Sequence, residues 1–116
     1  LYNDSTDSLG DSSVLGDIST EPTGAAYSRQ SSAVTTGQIS TDFGFDTDSD
    51  LTFDVSDSDQ TVDHAFFVVN FQSDGVAGDG SANDHLVAIA ELSQSRDLSG
   101  LNTLTISAGD LQIIAD

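Results

Sequence analysis

Leu51-Thr52-Phe53-Asp54-Val55 and, shortly after it, Val62-Asp63-His64-Ala65-Phe66-Phe67-Val68-Val69-Asn70-Phe71 decide how this chain is read. The first stretch alternates apolar and polar residues with period two, the signature of a half-buried strand. The second carries Ala65–Val69, an apolar run short enough for a strand buried on both faces. Downstream, His85-Leu86-Val87-Ala88-Ile89-Ala90-Glu91-Leu92 reads as another strand, although its alanines leave a helical reading open. Leu104-Thr105-Ile106 and Leu111-Gln112-Ile113-Ile114 read as two short strands, with Ala108-Gly109-Asp110 as a hairpin turn between them. Upstream, a strand is expected around Gln30–Ile39, followed by an acidic loop from Asp42 to Asp50. No stretch sustains an apolar stripe at helical spacing, and Ser and Thr make up a quarter of the chain. Short strands with turn signals between them point to an all-β fold, an antiparallel β-sandwich or jelly roll.

The expected core is Phe53, Phe66, Val68, Leu86, Ile89, Leu104, Ile106 and Ile113, the apolar positions of these strands. Residues 1–24 are rich in Asp, Ser, Thr and Gly and close on the turn Glu21-Pro22-Thr23-Gly24. They read as an extended N-terminal arm, followed by a single sandwich domain over 25–116. Within the arm, Leu9, Val14, Leu15 and Ile18 are spaced irregularly, as anchors in a neighbour's grooves would be.

Charge sets the environment. Twenty acidic residues, eighteen of them Asp, face Arg29, Arg96 and no Lys, for a net charge of −18 on 116 residues. Such a charge drives self-repulsion in dilute buffer. In molar salt the Debye length shrinks to about 3 Å and the repulsion fades. Acidic tails are blocks of like charge with few aromatics; here the aspartates are interleaved with apolar residues throughout. The composition is that of a folded protein adapted to brine. Apolar content is 36%, below the usual range of about 45–50%. A thin core of this kind gains stability from oligomerisation, so a symmetric homo-oligomer is expected.

Several function classes have no support in these residues. Nucleic acid is not an expected partner, because a phosphate backbone needs a basic patch. No apolar run approaches the roughly 18 residues of a helical membrane span, so no membrane partner is expected. Cysteine is absent, which removes disulfides and thiolate chemistry. There is no G-x-S-x-G elbow, P-loop or dinucleotide fingerprint, and no catalytic residue or cofactor is assigned. Asp46-x-Asp48-x-Asp50 imitates the start of a calcium loop, since a hard cation wants closely spaced oxygens. The imitation stops at Leu51, where the calcium loop needs glycine, and at Asp57, where it needs a bidentate glutamate. Asp46, Asp48 and Asp50 are therefore read as a solvated loop and kept as the sole calcium candidates. Asp74, Asp79 and Asp84, among glycines, are read the same way. His64 and His85 are read as structural or surface histidines.

Gly24-Ala25-Ala26-Tyr27-Ser28-Arg29-Gln30 places a rare arginine beside an aromatic at the expected start of a strand. Tyr27 and Arg29 are read as structural or interface residues, a guanidinium being suited to bidentate pairing with carboxylates. This segment resembles the Gly-Gly-Gly-Tyr-Ala-Arg-Gln-like element of small tailed-phage structural proteins, often labelled tail fibre proteins. Leu51-Thr52-Phe53, Thr61–Phe67 and Leu104–Ile114 are similar, in order, to that family's later strands and terminal Gly-Asp hairpin. The chain departs from the pattern at Ala25 and Ala26, at Asp54 in place of proline, and in a longer acidic loop over 73–84. The resemblance implies a non-enzymatic virion structural protein on the particle exterior, and the acidic composition makes the expected source a haloarchaeal tailed virus. A capsid decoration, turret or head-fibre subunit would pack against partners such as the major capsid protein or tail proteins. The alternatives are a tail or tail-fibre component, or a sandwich that binds carbohydrate on a host surface. The absence of tryptophan speaks against sugar binding.

Overall fold

The computed structural model describes residues 1–39, 42–70 and 84–115. It is a β-rich chain with one four-residue helical turn, α1 (Asp4–Asp7), and a 3-10 turn over Leu15–Asp17. Seven strands follow: β1 (Val34–Ile39), β2 (Asp42–Thr47), β3 (Leu51–Asp54), β4 (Thr61–Asn70), β5 (Asp84–Asp97), β6 (Thr103–Ile106) and β7 (Gln112–Ala115). They form three small sheets, ordered β1-β2-β7, β3-β6 and β4-β5. The all-β expectation holds at this level.

Two compact units divide these elements: Leu1–Glu21 with Thr61–Arg96, and Pro22–Gln60 with Asp97–Asp116. This division differs from an arm followed by one domain. In the first unit the N-terminal segment is built into the fold. Tyr2 forms an antiparallel bridge with His64, its N–H donating to the His64 carbonyl at 2.9 Å and its carbonyl accepting from the His64 N–H at 3.1 Å. Leu1, Tyr2, Val62 and Ala65 are the buried apolar residues there, and Tyr2 is completely buried. Polar side chains fasten the remainder, which is why apolar spacing alone does not reveal it.

In the second unit β3 buries Leu51 and Phe53 and exposes Thr52 and Asp54, as alternation requires. Its antiparallel partner β6 sets Phe53 opposite Leu104 and Leu51 opposite Ile106. On the other face the Thr52 and Thr105 hydroxyls lie 3.0 Å apart, a cross-strand pair of the kind that stabilises sheets. Val55, Leu98 and Leu111 complete the apolar interior.

Three local expectations are corrected. Asp42–Thr47, expected as part of an acidic loop, is the central strand of β1-β2-β7, paired antiparallel on both sides. Pairing of its backbone on both sides outweighs the loop-like composition of this segment. Residues 108–110 do not close a hairpin. Gly109 turns the chain at φ +79°, and Asp110 N–H donates to the Ser107 carbonyl at 3.1 Å. The chain thereby leaves β6, paired with β3, and enters β7, paired with β2. The strand expected from Gln30 begins only at Val34.

The core expectation is met in part. Phe53 and Ile106 are buried, Phe66, Val68, Leu86 and Leu104 are half-buried, and Ile89 is 41% exposed. A two-stranded sheet cannot enclose both of its faces, so the apolar runs of β4 and β5 remain partly open. The Ile113 side chain, and residues 73–83 with Asp74 and Asp79, expected as a loop, lie outside what is described.

Candidate functional site

The residues singled out from sequence do not converge on one site. Leu9, Leu15 and Ile18 are half-buried in the first unit, whereas Val14 is 61% exposed. Tyr27 and Arg29 belong to the second unit, where Tyr27 is half-buried and Arg29 exposed. The calcium candidates have separate surroundings. Asp46 lies on β2, Asp48 accepts from the Thr35 hydroxyl, and Asp50 accepts from the Ala108 N–H at 2.9 Å. Among the described residues no group of three or more His, Cys, Asp or Glu side chains is placed to hold a metal ion. No helix among them is long and apolar enough to cross a membrane.

What does converge is a pair of aspartate-centred clamps in the first unit. Asn3 caps α1, its side-chain oxygen accepting from Thr6 N–H at 3.2 Å, and its amide donates to the Thr61 carbonyl at 3.1 Å. Asp63 on β4 reaches back to the helical turn. It accepts from the backbone N–H groups of Asp4 at 2.6 Å and Ser5 at 3.3 Å, and from the Ser5 hydroxyl at 2.7 Å. Its neighbour His64 lies with Nδ1 at 2.9 Å. Asp7 forms the second clamp, taking the hydroxyls of Ser19 and Thr20 at 2.6 Å each and both of their N–H groups. These carboxylates satisfy donors that no sheet or helix partner would reach.

The Tyr2 ring packs between the strand and this network. It contacts the His64 ring at 5.5 Å and meets Phe66 edge-on at 6.0 Å, while its hydroxyl donates to Asp4 Oδ1 at 3.0 Å. Burial, then the Asp4 carboxylate, pushes the phenol well above its ordinary pKa and keeps it neutral. For Asp63, burial pushes the carboxyl up, but the bonds from His64, Ser5 and the Asp4 and Ser5 N–H groups outweigh it. The carboxyl is held well below the usual carboxylate range. Asp7 is likewise lowered: burial opposes, and the Ser19 and Thr20 donors prevail.

A pH prediction follows from those two carboxylates. Unfolded aspartates titrate near about pH 3.9. Asp7 and Asp63 have depressed folded pKa values, so their stabilisation is complete above that pH and is lost as pH falls through the folded values. In molar salt, where general repulsion is screened, the melting temperature is expected to fall on acidification below about pH 4. Asp63→Asn is expected to lower it at pH 7 and to flatten its acid dependence. A wild-type melting temperature that rises steadily on acidification in molar salt would contradict this.

In the second unit Gly24–Tyr27 forms a turn, with Tyr27 N–H donating to the Gly24 carbonyl at 3.1 Å. Asp57 holds it through the Ala26 N–H at 3.0 Å. A Cβ at Gly24 would overlap the Asp57 carboxylate and lie 2.7 Å from Ser58 Oγ, so this approach requires glycine. The turn lays the Tyr27 ring on Phe53, stacked at 5.9 Å with 12° between planes. Asp57, Asp63 and Asp7 are not singled out from sequence as clamps. Among eighteen aspartates, only the proximity of donors distant in sequence distinguishes them.

Comparison with family models, curated proteins and solved structures gave no match.

Proposed function

We propose that the chain is a non-enzymatic structural component of the virion of a haloarchaeal tailed virus, displayed on the particle exterior in molar salt. A capsid decoration, turret or head-fibre subunit fits best. In this reading β1-β2-β7 and β3-β6 are the two layers of a small sandwich, and the exposed apolar residues of β4 and β5 pack against virion partners or further copies. The observation that carries it is the coexistence of a −18 charge with open apolar strands: Val69, Val87 and Ile89 are 40%, 48% and 41% exposed. Aspartate keeps such a protein soluble in brine, while exposed apolar side chains in a sheet mark contact with another chain. The resemblance of the Gly24–Gln30, Leu51–Phe53, Thr61–Phe67 and Leu104–Ile114 elements to tailed-phage structural proteins supports the same reading.

The test is mass spectrometry of density-banded particles of the virus encoding this chain, prepared in molar salt, with a cryo-electron microscopy map of the same particles. The protein is expected at many copies per particle, in ordered density outside the capsid shell or at the tail. Recovery only from the soluble fraction of infected cells would overturn the proposal. Glycan binding by particle-free protein would favour the carbohydrate-binding alternative.

A further inference from the structure

We propose that the second unit binds one monovalent alkali cation of the brine, sodium or potassium, through Ser58 Oγ, Gln60 Oε1 and Asp57 Oδ1 beside the Thr23–Gly24 dipeptide. The site concerns the salt and not the partner, so it stands apart from the virion reading. Ser58 is 5% exposed, and its hydroxyl oxygen makes no hydrogen bond among the described residues. Gln60 Oε1 is buried and lacks a donor in the same way, while its Nε2 donates to Thr23 Oγ1 at 3.1 Å. Buried polar atoms are nearly always satisfied, so two orphaned oxygens two residues apart call for something that meets them. Both side chains face the same dipeptide. Ser58 Oγ would lie 2.7 Å from a Cβ on Gly24, and Gln60 reaches Thr23.

The third oxygen supplies the charge. The Asp57 carboxylate comes up to Gly24 at the same place as Ser58 Oγ, so close that only glycine fits there. Its Oδ2 accepts from Ala26 N–H at 3.0 Å, and Oδ1 accepts no hydrogen bond among the described residues. Three oxygens with free lone pairs, carrying one negative charge between them, match a hard monovalent cation. A divalent ion collects several carboxylates, and here there is one. A single water brings only two hydrogens and leaves the carboxylate charge in place, whereas a cation meets all three oxygens and cancels it. Occupancy follows concentration, so in molar salt even weak binding keeps the site filled and favours the folded chain that assembles it. The salt requirement of this protein then has two parts. Screening is supplied by any salt, and occupation of this site needs a small cation.

The experiment uses the full chain at one ionic strength, in molar NaCl, KCl or choline chloride. The three salts screen charge alike, but choline carries its charge behind methyl groups and offers the oxygens no bare ion. The wild type is expected to melt about 4 °C higher in NaCl or KCl than in choline chloride. Ser58→Ala and Gln60→Leu are each expected to remove that difference. Asp59→Asn, which removes a neighbouring exposed charge outside the site, is expected to keep it. Each variant is compared with itself across the salts, so a general loss of stability does not imitate the result. Crystals of the wild type grown in molar RbCl are expected to show an anomalous rubidium peak touching Ser58 Oγ and Gln60 Oε1. One melting temperature in all three salts overturns the inference. So does a sodium or potassium preference that survives both substitutions. A water without anomalous signal at the site, or a direct hydrogen bond between Ser58 and Gln60, overturns it as well. None of these outcomes depends on particle incorporation, so a chain missing from virions would refute the proposed function and leave this site standing.

Discussion

Transferred from molar salt to about 0.1 M, the protein is expected to lose its β circular dichroism signal and its cooperative melting transition. The Debye length grows to about 10 Å over that change, so carboxylates that scarcely sensed one another begin to repel. Eighteen uncompensated negative charges on 12.0 kDa then act against a modest apolar interior. Small domains are stable by only about 5–15 kcal/mol, so a distributed repulsion of a few tenths of a kcal/mol per charge suffices to unfold them. Sucrose at low ionic strength, which strengthens apolar burial without screening charge, should restore less structure than salt does. A fold and melting temperature unchanged in dilute buffer would show that the aspartate excess is not an adaptation to brine.

Tyr2→Ala is expected to produce the largest loss from a single side chain. The ring is fully buried between His64 and Phe66, and removing a packed aromatic costs about 3–5 kcal/mol. Tyr2→Phe keeps the ring and loses only the hydroxyl bond to Asp4, a difference of about 1 kcal/mol. Chemical denaturation in molar salt separates the two effects. Deleting residues 1–20 removes Tyr2 together with the donors that surround Asp63, and is expected to unfold β4 and β5 as well. Hydrogen exchange over Thr61–Asn70 reads this directly. A truncated chain with native protection there would show that residues 1–20 are an accessory arm after all.

That result bears on what can be read from sequence. The strands are legible where period-two alternation coincides with buried partners, as in Leu51–Asp54 with Thr103–Ile106; β4 and β5 are legible as strands, although β5 runs on to Asp97, past the expected end at Leu92. β2 escapes such a reading because Asp42 and Asp46 look like loop residues, whereas its backbone is paired on both sides. The hairpin expected at 108–110 is a sound turn attached to the wrong partner, since a turn signal fixes local geometry and not which strand the chain rejoins. The N-terminal segment escapes for a different reason. It is fastened by Asn3, Asp7 and Asp63 to partners up to 59 residues away, and hydrogen bonds of that kind leave no periodicity to detect. The Gly24–Tyr27 turn is recognisable as unusual, but its Asp57 clamp is hidden by the abundance of aspartate.

Asp4, Asp7, Asp57 and Asp63, whose carboxylates accept from backbone N–H groups, therefore belong to a different population from residues such as Asp11 and Asp59 at the surface. The distinction matters to anyone wishing to make this protein usable in ordinary buffer. Indiscriminate conversion of aspartate to asparagine would desalinate the surface and unpick the framework in the same stroke. A variant that replaces the outer population with lysine and leaves the clamping acids untouched is expected to hold its fold at lower ionic strength than the wild type.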